Sequence, residues 1–384
     1  MKGQDMMQGR FQPPARQIVY YGRPLAEALD QALKDLWSSQ AVVVTNTSLA
    51  QPGRLLEKVT APLGEIVTNV VTGVRENSPR ADVIRIAGSL RGRGTESLIA
   101  VGGGSVIEAA KAARICLTNN VADVEDMDRL KRVTTAASPR PYLIAIPTTL
   151  SGPEFTPFAG ILDERTGVKD AFFHTDLAPD VVILDPEATR DTPARLWAAT
   201  GVRAVDHAVE TWCSTNASPY GDAGALAALP LLARGLVASV ADPADMAARN
   251  DCQVGAWMAI QGGTVGVVHG ASHGIGHALS GVTGMNHGIT SCIMLPHVLR
   301  WNAAVNADRQ AVLAGVLGQQ GRPLADVIHD LIGKLGVPQR LRDDGVREDQ
   351  LEAIADLALT NFRVKANPRP FDRDAMLGVL RAAW

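Results

Sequence analysis

Apolar positions in the first half of the chain fall into short continuous runs, separated by stretches in which apolar and charged residues alternate with a helical period. Ile18–Gly22, Ala41–Asn46, a run near Glu65–Val71, Ser97–Val101, Tyr142–Pro147 and Val181–Pro186 have the length and Val/Ile content of strands. Between them, Pro24–Leu36, Arg54–Val59, Pro79–Leu90 and Ser105–Leu117 read as helices. Runs apolar on both faces, alternating with helices, predict a parallel sheet covered on both sides. Ile18–Gly22 would be an edge strand open to a second subunit, so a homodimer is the expected assembly. After Asp191 the strand-like runs stop. From Thr192-Pro193 onward Ala- and Leu-rich helical patterns dominate, with Pro193 suited to a first helical turn. The predicted organisation is a loose tail over 1–15, an α/β domain over 16–190 and an all-helical domain over 191–384.

Bulk properties narrow the function. A chain of 384 residues exceeds what one core serves well, which agrees with two domains. Its formal net charge is −3 and no run of five basic residues occurs, so nucleic acid is not an expected partner. Cys116, Cys213, Cys252 and Cys292 form no CxxC pair and read as free thiols of a reducing compartment. Neither an apolar leader at the N-terminus nor a stretch of 18 uncharged apolar residues is present, so a soluble cytoplasmic protein without membrane contact is expected.

Three segments carry candidate chemistry. Gly102-Gly103-Gly104-Ser105 follows the apolar run SLIAV and opens a helix containing Lys111, which puts unblocked backbone N–H groups and the positive end of a helix dipole where a pyrophosphate could sit. Ile107 stands where the GxGxxG fingerprint needs glycine, and no Lys-Ser/Thr follows at P-loop spacing. The loop Pro147–Thr156 presents four hydroxyls after the next strand, as ligand loops of open α/β sheets do. Finally, five of the eight histidines lie in two segments: His207, then His269, His273, His277 and His287. Residues four apart on a helix are displaced by about 40°, so His269, His273 and His277 would share a stripe serving a divalent metal or proton transfer.

GGGSVIEAAK, PTTLSGPEFT, LAPDVVILDP, GVRAVDHAVE and SHGIGHALSGVTGMNHGITSCIMLPHVLRWN resemble, in order, the motifs of the iron-containing alcohol dehydrogenase superfamily, and within it the maleylacetate reductase-like branch. The resemblance implies a dehydroquinate synthase-like fold: an α/β N-terminal dinucleotide-binding domain and an all-α C-terminal domain, with the active site in the cleft between them. It also implies that NAD or NADP lays its pyrophosphate on Gly102, Gly103, Gly104 and Ser105, with Thr148 and Thr149 near the nicotinamide ribose and Lys169 close by. Asn46 stands where many relatives place an Asp on the adenosine ribose, which leaves the choice weakly determined, with NADH the expected form.

Members that hold iron or zinc use an Asp four residues before a first His and two further histidines 14 apart. His207, His273 and His287 match those three histidines, while His277 matches a non-ligand His near substrate and nicotinamide. At the Asp position stands Arg203. A guanidinium about 4 Å from a dication is repelled by about 8 kcal/mol at an effective dielectric of 20. Asp206, rotated by about 100° from His207, is expected to face elsewhere, and Glu210 lies closer to the right face. A metal-free pocket is therefore expected over a three-His site on His207, His273 and His287.

The expected function is NAD(P)H-dependent hydride transfer to an activated C=C or C=O of a small, carboxylate-bearing oxo acid. Arg203 with His207 or His287 would hold the oxyanion, and His277 or His273 would supply the proton. Phe155, Phe158, Trp257 and Met285 are candidates for the pocket wall. The alternatives are an iron- or zinc-dependent alcohol or aldehyde dehydrogenase and a non-catalytic nucleotide-binding protein; the latter requires the histidines to be dispersed.

Overall fold

A computed structural model describes residues 17–132, 140–174 and 177–384, so the tail expected over 1–15 lies outside the described residues. Six strands, β1 (Ile18–Tyr21), β2 (Ala41–Thr45), β3 (Val67–Val71), β4 (Ser97–Gly102), β5 (Tyr142–Pro147) and β8 (Val181–Leu184), form one sheet in the order β1-β8-β5-β4-β2-β3. Every pairing in it is parallel. The all-apolar runs are explained by burial on both faces. Val42, Val44, Leu98 and Ala100 pack into one core with α3 (Arg80–Leu90) and α4 (Gly104–Thr118), while Ala41, Val43, Ile99 and Val101 point into a second core with α1 (Leu25–Asp35) and α2 (Leu55–Thr60). As expected, β1 is an edge strand.

An antiparallel hairpin, β6 (Phe158–Asp163) and β7 (Val168–Phe173), was not expected from the sequence. β6 alternates exposed or partly exposed with buried positions and packs on α4, while β7 carries Lys169 and Asp170 and buries only Phe172, so the pair lacks the two Val- and Ile-rich runs that mark the strands of the main sheet.

Beyond the sheet the chain is helical: α5 (Ala194–Cys213), α6 (Pro219–Ala241), α7 (Met246–Thr264), α8 (Ala271–Thr283), α9 (His287–Val316), α10 (Leu324–Gly333), α11 (Leu351–Thr360), α12 (Phe362–Lys365) and α13 (Arg373–Ala383). Of the 20 residues of α5, 16 are buried, which makes it the axis on which the others pack. By length and composition alone α6 could cross a membrane; here it packs on α5 and α7. The two halves are joined beside the sheet. Thr192 Oγ1 donates to Thr148 O (2.7 Å), and the Leu150 N–H donates to Thr200 Oγ1 (3.2 Å), fastening the hydroxyl-rich loop to the start of α5.

Candidate active site

Because β2, β4 and β5 are neighbours, Asn46, Gly102 and Thr148 follow three adjacent strands at their carboxyl ends, where open parallel sheets bind ligands. Gly102 has φ +152°, and a Cβ there would lie 2.7 Å from the Val106 side chain, so only glycine makes this turn without strain. A Cβ on Gly103 would come within 3.1 Å of the Thr149 side chain, and one on Gly104 within 3.1 Å of Ser151 Oγ, so the two loops meet across bare backbone. A dinucleotide pyrophosphate fits the exposed amides at the start of α4.

Neighbouring polar groups hold the cradle in place. Ser105 Oγ accepts the Asn77 N–H (3.1 Å). Lys111, fully buried, donates to the carbonyls of Pro153 (2.7 Å), Thr156 (2.8 Å) and Phe158, so it fixes the hydroxyl-rich loop and does not face the cradle. Lys169 on β7 pairs with Glu108 of α4 at 3.1 Å, and its charge also disfavours protonation of His277 and His287, which places it on the border between cradle and histidines. Asn46 Oδ1 accepts the Leu49 N–H (3.0 Å) and the Ser48 hydroxyl (3.1 Å), leaving its amide N–H groups to turn toward a ligand.

The histidines gather around α5. Arg203, Asp206, His207 and Glu210 have the i, i+3, i+4, i+7 spacing of one helical stripe, and α8 and the first turn of α9 close over it. Two glycines of α8 let its neighbours pack closely on it: a Cβ on Gly274 would sit 2.6 Å from Val364 of α12, and one on Gly276 would sit 2.6 Å from Thr290 Oγ1 of α9. At the end of α8 Gly284 takes φ +75°, and Asn286 caps α9 by accepting the Gly288 N–H (2.8 Å), which fixes His287 in the first turn.

The three evenly spaced histidines do not share one stripe, because His269 precedes the helix. The rings of His207, His269 and His273 stack on one another with centroids 4.4–5.1 Å apart. His277 instead meets His287 edge-on at 5.4 Å, and His287 Nδ1 lies 3.0 Å from Ser280 Oγ. Asp206, expected to face away, points into the same buried region. Its i+3 relation to Arg203 keeps it on the stripe, and its Oδ2 accepts the hydroxyls of Ser272 (2.8 Å) and Ser291 (2.6 Å) at 3.4 Å from His273 Nδ1. Glu210 accepts the Ser272 N–H (2.8 Å) and the His273 N–H (3.3 Å), with His273 Nδ1 at 2.7 Å. Arg203 Nη1 donates to Ser291 Oγ at 3.0 Å and reaches Asp206 only at 3.9 Å, a loose ion pair. His207 Nδ1 and His273 Nε2 are buried with no protein partner.

Burial sets the charges. It lowers the proton affinity of all five imidazoles, with the nearby guanidinium of Arg203 adding to the effect on His207, His269, His273, His277 and His287, so the rings are neutral at physiological pH. Burial also pushes the Asp206 and Glu210 carboxyls up. Arg203 is brought down to about 10 and stays cationic. Sequence reading passed over Ser272, Ser291, Asn361 and Arg363, which reach the site from other segments; Asn361 Nδ2 lies 3.4 Å from His277 Nδ1. Of the wall candidates, Phe155 stacks on Trp257 at 6.2 Å beside the cradle.

Residues 16–186 match the family model described as iron-containing alcohol dehydrogenase, and residues 197–384 match that of the Fe-containing alcohol dehydrogenase family, C-terminal. The chain belongs to the iron-containing alcohol dehydrogenase family. Its relatives include dehydrogenase ALT3 of Alternaria alternata, 34% identical over 83% of this chain and 91% of that protein. Among solved structures, a 1,3-propanediol oxidoreductase superposes with TM-score 0.88 at 28% identity over 98% of this chain and all of its own. A maleylacetate reductase from Agrobacterium tumefaciens shares the fold with TM-score 0.84 at 24% identity over 99% of each chain. As a family member the protein is an oxidoreductase, with the expected α/β and helical halves.

The family's iron raises the question of fit. Two sets of side chains in this pocket have ligand atoms within 4.8 Å of one another, His207 with His269 and His273, and Asp206 with Glu210 and His273; His287, expected as a third ligand, lies outside both. Ligands of a tetrahedral site aim their lone pairs at one point about 2.0–2.1 Å away. Here the rings are inclined to one another by 28–33°, and His273 Nδ1 is engaged by Glu210, while His207 Nδ1 and His273 Nε2 have no protein partner. Arg203 adds a buried positive charge to the same pocket, which opposes a dication there.

Proposed function

We propose that the protein is an NAD(P)H-dependent reductase of a small carboxylate-bearing oxo acid, of the kind exemplified by maleylacetate, working without a metal. The observation that carries this reading is Arg203: a buried guanidinium oriented by Ser291, in a pocket of neutral imidazoles. A fixed cation there attracts a carbonyl or enolate oxygen and stabilises the negative charge that develops on it.

The reduced nicotinamide, when bound on the glycine cradle, supplies the hydride from C4. As the new C–H bond forms, the π electrons of the activated C=C or C=O move toward oxygen, and Arg203 holds that oxygen by hydrogen bonds. His273 Nε2 has no protein partner and its Nδ1 lies 2.7 Å from Glu210. Burial favours the protonated Glu210 carboxyl, which donates to Nδ1 and leaves the hydrogen on Nε2. The product oxygen, or the carbon of an enolate, takes the Nε2 proton while Nδ1 takes the proton of Glu210. His277, held by Asn361 and against His287, positions the substrate against the nicotinamide.

Protein purified without added metal should oxidise NADH or NADPH with maleylacetate faster than with simple aldehydes, keep its rate in the presence of a chelator, and contain no stoichiometric iron or zinc. About one metal per chain, with activity lost to the chelator, would instead favour an alcohol or aldehyde dehydrogenase using His207, His269 and His273.

A further inference from the structure

A second cation, half-buried, lies beside the helix that carries His273. Helix α12 crosses α8 so closely that the Arg363 Cβ is 3.3 Å from where a Cβ on Gly274, the neighbour of His273, would sit. Asn361, at the cap of the same short helix, touches His277. The Arg363 guanidinium lies 5.1 Å above the Phe362 ring, its Nε is buried without a partner, and no side-chain hydrogen bond or ion pair ties it down among the described residues. The nearest carboxylates, Asp206 and Glu210, favour its charge from a distance but spend their oxygens on Ser272, Ser291 and His273. Arg363 in turn disfavours protonation of His207, His269, His273 and His277, so its charge is felt throughout the pocket. It remains partly open to solvent, and a solute can reach it.

A half-buried guanidinium with its nearest carboxylates engaged elsewhere is completed by an anion that pairs with it. The planar fork of arginine suits a carboxylate bound through two parallel N–H···O bonds. We propose that Arg363 is a specificity-determining residue that binds the substrate's acidic group, so that the substrate is read at two points, its reacting oxygen on Arg203 and its carboxylate on Arg363. This rests on the oxo-acid reading above and adds to it the residue that distinguishes an oxo acid from a neutral aldehyde.

The test compares 4-oxobutanoate with its methyl ester, and separately titrates succinate, which cannot be reduced, by calorimetry. Wild-type protein should prefer the acid, and Arg363→Gln should lower that preference by about 30-fold, mainly through KM, with Arg363→Lys recovering part of it. Succinate should bind wild-type protein and bind Arg363→Gln about 30-fold more weakly. Equal losses for acid and ester, with no change in succinate binding, would overturn the role of Arg363 while leaving the reductase reading intact. Succinate bound through Arg363 in a protein that reduces no oxo acid would overturn the reductase reading and leave the anion anchor standing.

Discussion

The glycine cradle and the arginine–histidine pocket are built in opposite ways. The cradle is local: one strand, three glycines and one helix start supply it, and the second loop comes from the neighbouring strand. Its polar groups are backbone amides, so its recognition of phosphate depends on the course of the chain. The pocket draws on α5, α8, the start of α9 and α12, with residues from 203 to 363, and its chemistry resides in side-chain charge. A scaffold of the first kind can remain constant across a family while a pocket of the second kind changes its chemistry at one position. In the proposed function Arg203 is that position.

The largest expected effect breaks the pocket side of this contrast. Arg203→Ala should lower kcat/KM for the oxo acid by about 10²–10³, the usual cost of losing a preorganised oxyanion donor. Its melting temperature should move little, because among the described residues its side chain donates one hydrogen bond, to a hydroxyl, its ion pair to Asp206 is loose, and its removal relieves a buried cation. Arg203→Asp should lose activity as well but place a carboxylate four residues before His207, and should take up zinc that the parent does not. Zinc content by elemental analysis and turnover by nicotinamide absorbance check both outcomes; an Arg203→Ala protein with wild-type kcat/KM would remove the charge from the mechanism.

Breaking the cradle should cost somewhat less. A Cβ on Gly103 already meets Thr149 at 3.1 Å, so the branched side chain of Gly103→Val must displace the hydroxyl-rich loop and cover the amides of α4. Affinity for NADH, read by fluorescence titration, should fall by about 100-fold, equivalent to about 2.8 kcal/mol. Far-ultraviolet circular dichroism should be unchanged, since Gly103 has φ −76°, open to any residue.

Most of the fold was legible because burial on both faces leaves a plain record in Val- and Ile-rich runs, and the change to helices after Asp191 is equally plain. The β6–β7 hairpin left no such record, being half exposed. In the site, His207, His269, His273, His277 and His287 stood out by clustering in two short segments, and Arg203 through the resemblance to the family's motifs. What spacing could not give was the partition of the rings, since whether His269 stacks with His207 depends on where α8 begins. Asp206 was misplaced because an angle measured from His207 alone overlooks that a buried stripe is about 100° wide. Arg363 lies about 90 residues beyond Gly274 and reaches it only through the packing of α12 on α8, a contact that no local pattern encodes.

A milder cut sharpens the difference between a group that reacts and one that orients. Glu210→Gln keeps the shape beside His273 and can still accept one of the two backbone N–H groups, but its amide cannot pass a proton to Nδ1. Outer partners of an imidazole are typically worth 10- to 100-fold, and here about 20-fold is expected in kcat with KM little changed. The loss should come with a larger solvent deuterium isotope effect; an unaltered kcat would show that the proton comes from His277 instead.

The smallest effect separates the two dinucleotides. Asn46 keeps its Oδ1 occupied by the Leu49 N–H and the Ser48 hydroxyl, so the ligand meets amide donors, which accept a ribose hydroxyl and a 2′-phosphate alike. Wild-type protein should therefore use both NADH and NADPH. Asn46→Asp preserves the Oδ1 contacts, because a carboxylate can accept both, and replaces the donors by a negative oxygen. That oxygen can accept from the 2′-hydroxyl of NADH but repels the phosphate of NADPH across a partly exposed surface, where a unit-charge pair about 4 Å apart is worth between about 1 and 4 kcal/mol. KM for NADPH should rise by about tenfold while that for NADH stays within about threefold, and because the site is partly exposed the penalty should shrink as salt is raised. A variant in which both KM values moved together would place Asn46 in the support of the 46–49 turn and move the choice of cofactor elsewhere in the cradle.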